Sequence, residues 1–105
     1  MKLIYVCSPL RGDIEGNVKR AREYCKSVIQ AGHIPIAPHV AYQGILNDDI
    51  PTERKMALEI GQEILKKCNE IWVFGHFISE GMKSEVEAAQ RLEIPVYYRG
   101  EVGIY

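Results

Sequence analysis

At 105 residues the chain is long enough for one hydrophobic core and short for two, so a single domain over 1–105 is expected. Its 47% hydrophobic and 26% charged residues are ordinary for a globular protein, and a net charge of −1 gives no electrostatic case for a nucleic acid polymer or a membrane surface. No apolar run approaches the roughly 20 residues of a membrane span, Met1 to Cys7 is too short for a secretory leader, and Cys7, Cys25 and Cys68 have apolar neighbours without metal-ligand spacing, which fits buried thiols in a reducing cytoplasm.

Leu3 to Cys7 is a short apolar run and reads as the first strand, followed by a turn-rich loop from Ser8 to Asp13. A helix is expected from about Glu15 to Ala31, with Val18, Ala21, Cys25, Val28 and Ile29 as its apolar stripe and Gly32 as its stop. His33 to Ala37 reads as a second strand, placed at a sheet edge because Pro35 lacks a ladder donor. Pro38 to Pro51 is a loop of about a dozen residues, a length typical of a lid or binding loop. The next helix starts near Pro51 with Thr52 as its N-cap, and its stripe is Met56, Ile60, Ile64, Leu65 and Cys68. Gly61 interrupts it at a cost of about 1 kcal/mol against alanine.

Glu70 to Phe74 is the third strand, Glu80 to Leu92 the third helix and Ile94 to Tyr98 the fourth strand, with a tail or short extra strand from Gly100 to Tyr105. Strands alternating with helices predict parallel pairing and right-handed crossovers. The expected fold is therefore α/β: a three-layer sandwich of the flavodoxin or Rossmann type, with a parallel sheet of four to five strands. Its site belongs at the carboxyl ends of the first and third strands, where the strand order switches, so the loops Cys7 to Asp13 and Gly75 to Gly81 should converge.

The first loop supplies Ser8, Arg11, Gly12 and Asp13 at a helix start, groups suited to a phosphate or carboxylate; a plain turn with a solvated arginine is the competing reading. Neither GxGxxG nor GxxxxGK[ST] is present, which argues against a dinucleotide or P-loop site. The other loop supplies Ser79 and Gly81, then Glu85 within the early turns of a helix, where the dipole favours a carboxylate. Met82, Glu85, Val86 and Ala89 share one helical face, so Glu85 sits on or beside the buried side while Glu87 points away. Ser79 as an ordinary cap and Glu85 as a local ion pair form the simpler reading. The sharper one is a carboxylate nucleophile at a sugar anomeric centre. Tyr5 is core by position, yet a buried phenol needs a partner that a carboxylate on the third helix could supply. His39 follows the second strand at its carboxyl end. Trp72 reads as core, and Tyr97 and Tyr98 as packing or interface residues.

Taken together, these residues resemble the nucleoside 2-deoxyribosyltransferase superfamily, including the 2′-deoxynucleoside 5′-phosphate N-hydrolases, from Leu3 to Tyr98. The resemblance rests on Tyr5, on Arg11-Gly12, on His39-Val-Ala41, on Ser79-Glu-Gly81 and on Glu85-Val-Glu-Ala-Ala89. It implies that Glu85 is the nucleophile and Tyr5 its orienting partner. It also implies that Arg11, Gly12 and Ser79 hold a 5′-phosphate, and that Ser8, His39 and Gly81 line the substrate pocket. It further implies a homodimer or larger homo-oligomer, a nucleoside or nucleotide partner, and chemistry without a metal or organic cofactor. The chain departs from the family where Gly61 stands in place of a helix aspartate that assists the base, and where Asn69-Glu70 replaces an aspartate at the start of the third strand. Asp48 or Asp49 is the candidate substitute.

The expected function is hydrolysis or transfer at the N-glycosidic bond of a 2′-deoxynucleoside or its 5′-monophosphate. A non-catalytic module binding a nucleotide or nucleotide-derived signal is the alternative that Gly61 motivates.

Overall fold

The computed structural model of the protein describes residues 1–100. Four strands form one parallel sheet: β1 (Leu3–Cys7), β2 (Ile34–Ile36), β3 (Glu70–Phe74) and β4 (Val96–Gly100), in the order β2-β1-β3-β4. The helices are α1 (Ile14–Gln30), α2 (Pro38–Ala41), α3 (Pro51–Lys66) and α4 (Glu80–Arg91). The α/β fold and parallel sheet agree with expectation, as does the edge position of β2, where Pro35 stands opposite Ile4.

Alternation along the central strands divides the core into two layers. Ile4, Val6, Trp72 and Phe74 point to one face and pack with Tyr24 and Val28 of α1. Tyr5, Cys7, Ile71 and Val73 point to the other, against Leu65 of α3, Cys68 just after it, and Met82, Val86 and Ala89 of α4. Each fully buried aliphatic side chain contributes about 1.5–3 kcal/mol relative to exposure. Covering both faces explains why β1 and β3 are apolar throughout rather than alternating.

The exception, Glu70, is buried at the end of the sheet opposite the loops. Lys2 donates to its Oε2 at 2.7 Å and the Trp72 indole to its Oε1 at 2.9 Å. These bonds, Lys2 first, hold its carboxyl below the usual range despite burial. Asn69 accepts from the Leu3 amide at 2.8 Å, while its own amide donates to the Leu3 carbonyl at 2.8 Å. Asn69 and Glu70 thus join β1 to β3.

The elements depart from expectation for local reasons. Strand β4 begins two residues late because the Ile94 amide closes α4 by donating to Ala89 O at 2.9 Å, and Pro95 has no amide. Gly100 ends this strand; the expected tail or extra strand after it lies outside the described residues. Helix α3 starts with Pro51 at its first position and Ile50 as N-cap, with no side-chain cap, so Thr52 is a first-turn residue. The expected loop from Pro38 opens instead with the single turn α2, again with proline at its start. The buried stripe of α1 is Asn17, Ala21, Tyr24 and Val28, which leaves Ile29 60% exposed. Met56 of α3 is likewise half exposed.

Two helices end in the same six-residue motif. After α1, His33 N donates to Val28 O at 3.1 Å and Gly32 N to Ile29 O at 2.9 Å, with Gly32 at φ +89°. After α4, Ile94 N donates to Ala89 O and Glu93 N to Gln90 O at 3.1 Å, with Glu93 at φ +58°. Glutamate in that left-handed position carries a Cβ penalty that glycine avoids. Glu93→Gly should therefore stabilise the fold by about 0.5–1 kcal/mol and Gly32→Ala should destabilise it by about 1–2 kcal/mol, both read from urea unfolding midpoints at constant slope.

Candidate functional site

The sheet order reverses between β1 and β3, and the loops leaving their carboxyl ends meet there. Gly75 has φ +106°, and a Cβ on it would lie 3.2 Å from Pro9 Cδ, so glycine lets the loop after β3 close onto the loop after β1. The first of these loops is shaped from behind. The buried Asn17 side chain donates to Leu10 O at 2.9 Å and Arg11 O at 3.2 Å. Arg20 in turn donates to Asn17 Oδ1 at 2.8 Å.

A cleft of about 400 Å³ opens above this junction, within the size range of small-molecule sites. Glu85 lies at its base. It sits on the same helical face as Met82, Val86 and Ala89, and this face turns toward Tyr5 and Cys7 of β1. The Tyr5 hydroxyl donates to Glu85 Oε2, and the Cys7 thiol donates to Oε1 at 3.6 Å. Burial pushes the Glu85 carboxyl up to about 7, against the opposing pull of these two hydrogen bonds. Burial, reinforced by the neighbouring carboxylate, holds the Tyr5 phenol and the Cys7 thiol in their protonated, donating forms.

Ser79 caps α4 by accepting from Met82 N at 3.2 Å and lines the cleft together with Gly81. Ser8, buried at the end of β1, shares a 2.8 Å hydrogen bond with Nε2 of His39 on α2. Burial lowers His39 to about 4, so its imidazole is neutral at physiological pH, with one donor and one acceptor nitrogen. Arg11 lines the cleft and makes an exposed 3.5 Å ion pair with Asp49.

The structure thus gathers Tyr5, Ser8, Arg11, His39, Ser79, Gly81 and Glu85 around one cleft. Gly12 does not line it and borders a neighbouring recess instead. Gly61 does line it: a Cβ there would come within 3.3 Å of the Tyr5 hydroxyl oxygen, so α3 presents no carboxyl at that point. Glu63 is turned to Lys66 at 2.8 Å, and Asn69 and Glu70 serve the opposite end of the sheet. Asp48 reaches the cleft, whereas Asp49 is engaged with Arg11.

Sequence reasoning missed the contact between Cys7 and Glu85, although Cys7 follows Tyr5 by two residues and so shares its face. It also missed Asn17, a polar residue at spacings of four and seven from Ala21 and Tyr24. The wall supplied by Tyr42, Arg54, Leu58 and Gln62 had no sequence signal, because it depends on how α3 crosses the sheet. Among the described residues, no group of three or more His, Cys, Asp or Glu could hold a metal ion, and no helix is long and apolar enough to cross a membrane.

A family model described as "Domain of unknown function (DUF7768)" matches residues 2–99. Among solved structures, a 2-deoxyribosyltransferase from the psychrotolerant bacterium Bacillus psychrosaccharolyticus has a TM-score of 0.75 to this chain, covering 98% of it and 75% of that enzyme at 18% identity. At that identity the likeness is one of fold. No curated protein matches the sequence.

The upward shift in the Glu85 pKa makes stability depend on pH. Between the ordinary carboxyl value of 4.5 and about 7, the folded state keeps a proton that the unfolded chain releases. Stability therefore falls as pH rises through that window and levels off above it. Glu85→Gln removes the charge and keeps the shape. Its melting temperature should match wild type near pH 4.5 and exceed it at about pH 8, as read by calorimetry across the range.

Proposed function

The chain belongs to the family described as "Domain of unknown function (DUF7768)", and we propose that it cleaves or transfers the N-glycosidic bond of a 2′-deoxynucleoside or its 5′-monophosphate. The observation that carries this reading is the Glu85 carboxyl at the base of the cleft, gripped by the Tyr5 hydroxyl. The fold likeness to a 2-deoxyribosyltransferase supports it.

In the proposed reaction, a Glu85 oxygen forms a bond to the sugar anomeric carbon as the bond to the base nitrogen breaks. The bonding pair leaves with the base, which takes up a proton. Water or a second base then attacks the anomeric carbon, the bond to the Glu85 oxygen breaks with its electron pair returning to the carboxylate, and the incoming nucleophile gives up its proton to solvent. Tyr5 remains a neutral donor throughout, so it orients Oε2 without adding charge. Arg11 and Ser79 are assigned to the 5′-phosphate, with Ser8 and His39 as polar contacts to the nucleoside. Of the two loop acids considered for the departing base, Asp48 is the one on the cleft wall.

Gly61 favours a second reading, a binding module that holds a nucleotide without cleaving it, because α3 offers no acid to the departing group. Such assistance contributes typically about 10² to 10⁴ in rate.

The two readings separate when deoxynucleosides and their 5′-monophosphates are incubated with the protein, with and without an acceptor base, and the products are resolved by chromatography. Catalysis predicts free or exchanged base. It also predicts loss of turnover in folded Glu85→Gln and a fall of about 100-fold in Tyr5→Phe. The acid limb of kcat/KM should lie near the Glu85 value of about 7. Intact nucleotide with calorimetrically detected binding would select the binding module. The same reading includes a cytoplasmic location and a homodimer or larger homo-oligomer, whose partner copy would cover Phe77, 61% exposed at the cleft mouth; light scattering at micromolar concentration should give at least twice the chain mass, and a monomer mass would overturn that part.

A further inference from the structure

Cys7 is completely buried, yet its thiol has a polar task. It lies 3.6 Å from Glu85 Oε1 and 3.9 Å from Met82 O, on the strand face that also carries Tyr5. Each Glu85 oxygen thus has its own donor from β1, the phenol on Oε2 and the thiol on Oε1. We infer that Cys7 is a positioning residue for Glu85: the two donors, two residues apart on one strand, fix the plane of the carboxyl and favour its charged form. A thiol is a weak donor, but one kept from ionising by burial and a neighbouring carboxylate stays a donor over the whole neutral range. The same features make Cys7 a poor nucleophile.

Other charged or titratable groups around Glu85 belong to the cleft rather than to its base. Arg11 comes from the loop after β1, His39 from α2, Asp48 from the segment before α3, Arg54 from the outer turns of α3 and Glu80 from the start of α4 itself. Near Tyr5 and Glu85, α3 presents Gly61 and Leu65, neither of which titrates, and just past it the Cys68 thiol, which packs near Tyr5 and is pushed up to about 11 by burial, stays protonated across the neutral range.

The importance of Cys7 for chemistry rests on the proposed nucleophilic role of Glu85, but its test does not. The Glu85 carboxyl is followed by carbon-13 NMR across pH in wild type and in Cys7→Ala, Cys7→Val and Cys7→Ser, with Glu85→Gln assigning the signal. Removing the donor in either apolar variant should move the Glu85 midpoint upward by about half a unit or more; Cys7→Ser, which keeps a donor, should return it to the wild-type value or below. Two apolar variants guard against one failing to fold. An unmoved or lowered midpoint in a folded apolar variant, or a serine variant that rises as the apolar ones do, would overturn the inference. Where turnover is measurable, the acid limb of kcat/KM should move with the NMR midpoint. A midpoint that moves while the limb stays would leave Cys7 in its role and remove Glu85 from the nucleophile's.

Discussion

The hydrogen bond from Tyr5 to Glu85 joins the central strand to the helix that follows the reversal of strand order, and it decides what the cleft can be. A carboxyl brought among Met82, Val86 and Ala89 would be costly as an unpaired charge. β1 makes it tolerable by presenting two donors on one face. The arrangement leaves Glu85 poised between its two protonation states near neutral pH, which is unusual for a carboxylate and useful wherever a group must accept or release charge.

Two carboxyls on this sheet show how position sets role. Glu70, at the opposite end, has an ammonium and an indole as partners and is held charged. Glu85 has neutral donors and no cation among its direct hydrogen-bond partners. The first fastens strands together, as does its neighbour Asn69. The second faces open space. These strand-joining bonds lie at the amino ends of the strands and the candidate cleft at their carboxyl ends, where parallel α/β folds place their ligands.

Much of the fold was legible because its signals are local. The apolar runs Leu3–Cys7 and Ile71–Phe74 read as strands covered on both faces, and the three-and-four spacing around Met82 placed Glu85 beside the core. The place of the candidate cleft followed from topology, since parallel order brings the loops after β1 and β3 together. What escaped were features set by competition between elements. Ile94 was claimed by the end of α4 rather than by β4. The α1 stripe was shifted by Asn17, whose burial serves a loop instead of the core. The cleft wall from α2 and α3 depends on a crossing geometry that no residue in 38–58 announces by itself. Gly61 looked like a weak point in a helix and proves to be a clearance for the Tyr5 hydroxyl.

The contact of Gly75 with Pro9 has a mechanical consequence. One loop carries Arg11 and the other feeds Ser79 and the first turn of α4, and neither can swing outward without opening that contact. Asn17 fastens the first loop to α1 on the far face of the sheet. An anion drawn to the Arg11 guanidinium would therefore pull on a loop that lies against the one leading into the Glu85 helix and that Asn17 ties to the opposite layer.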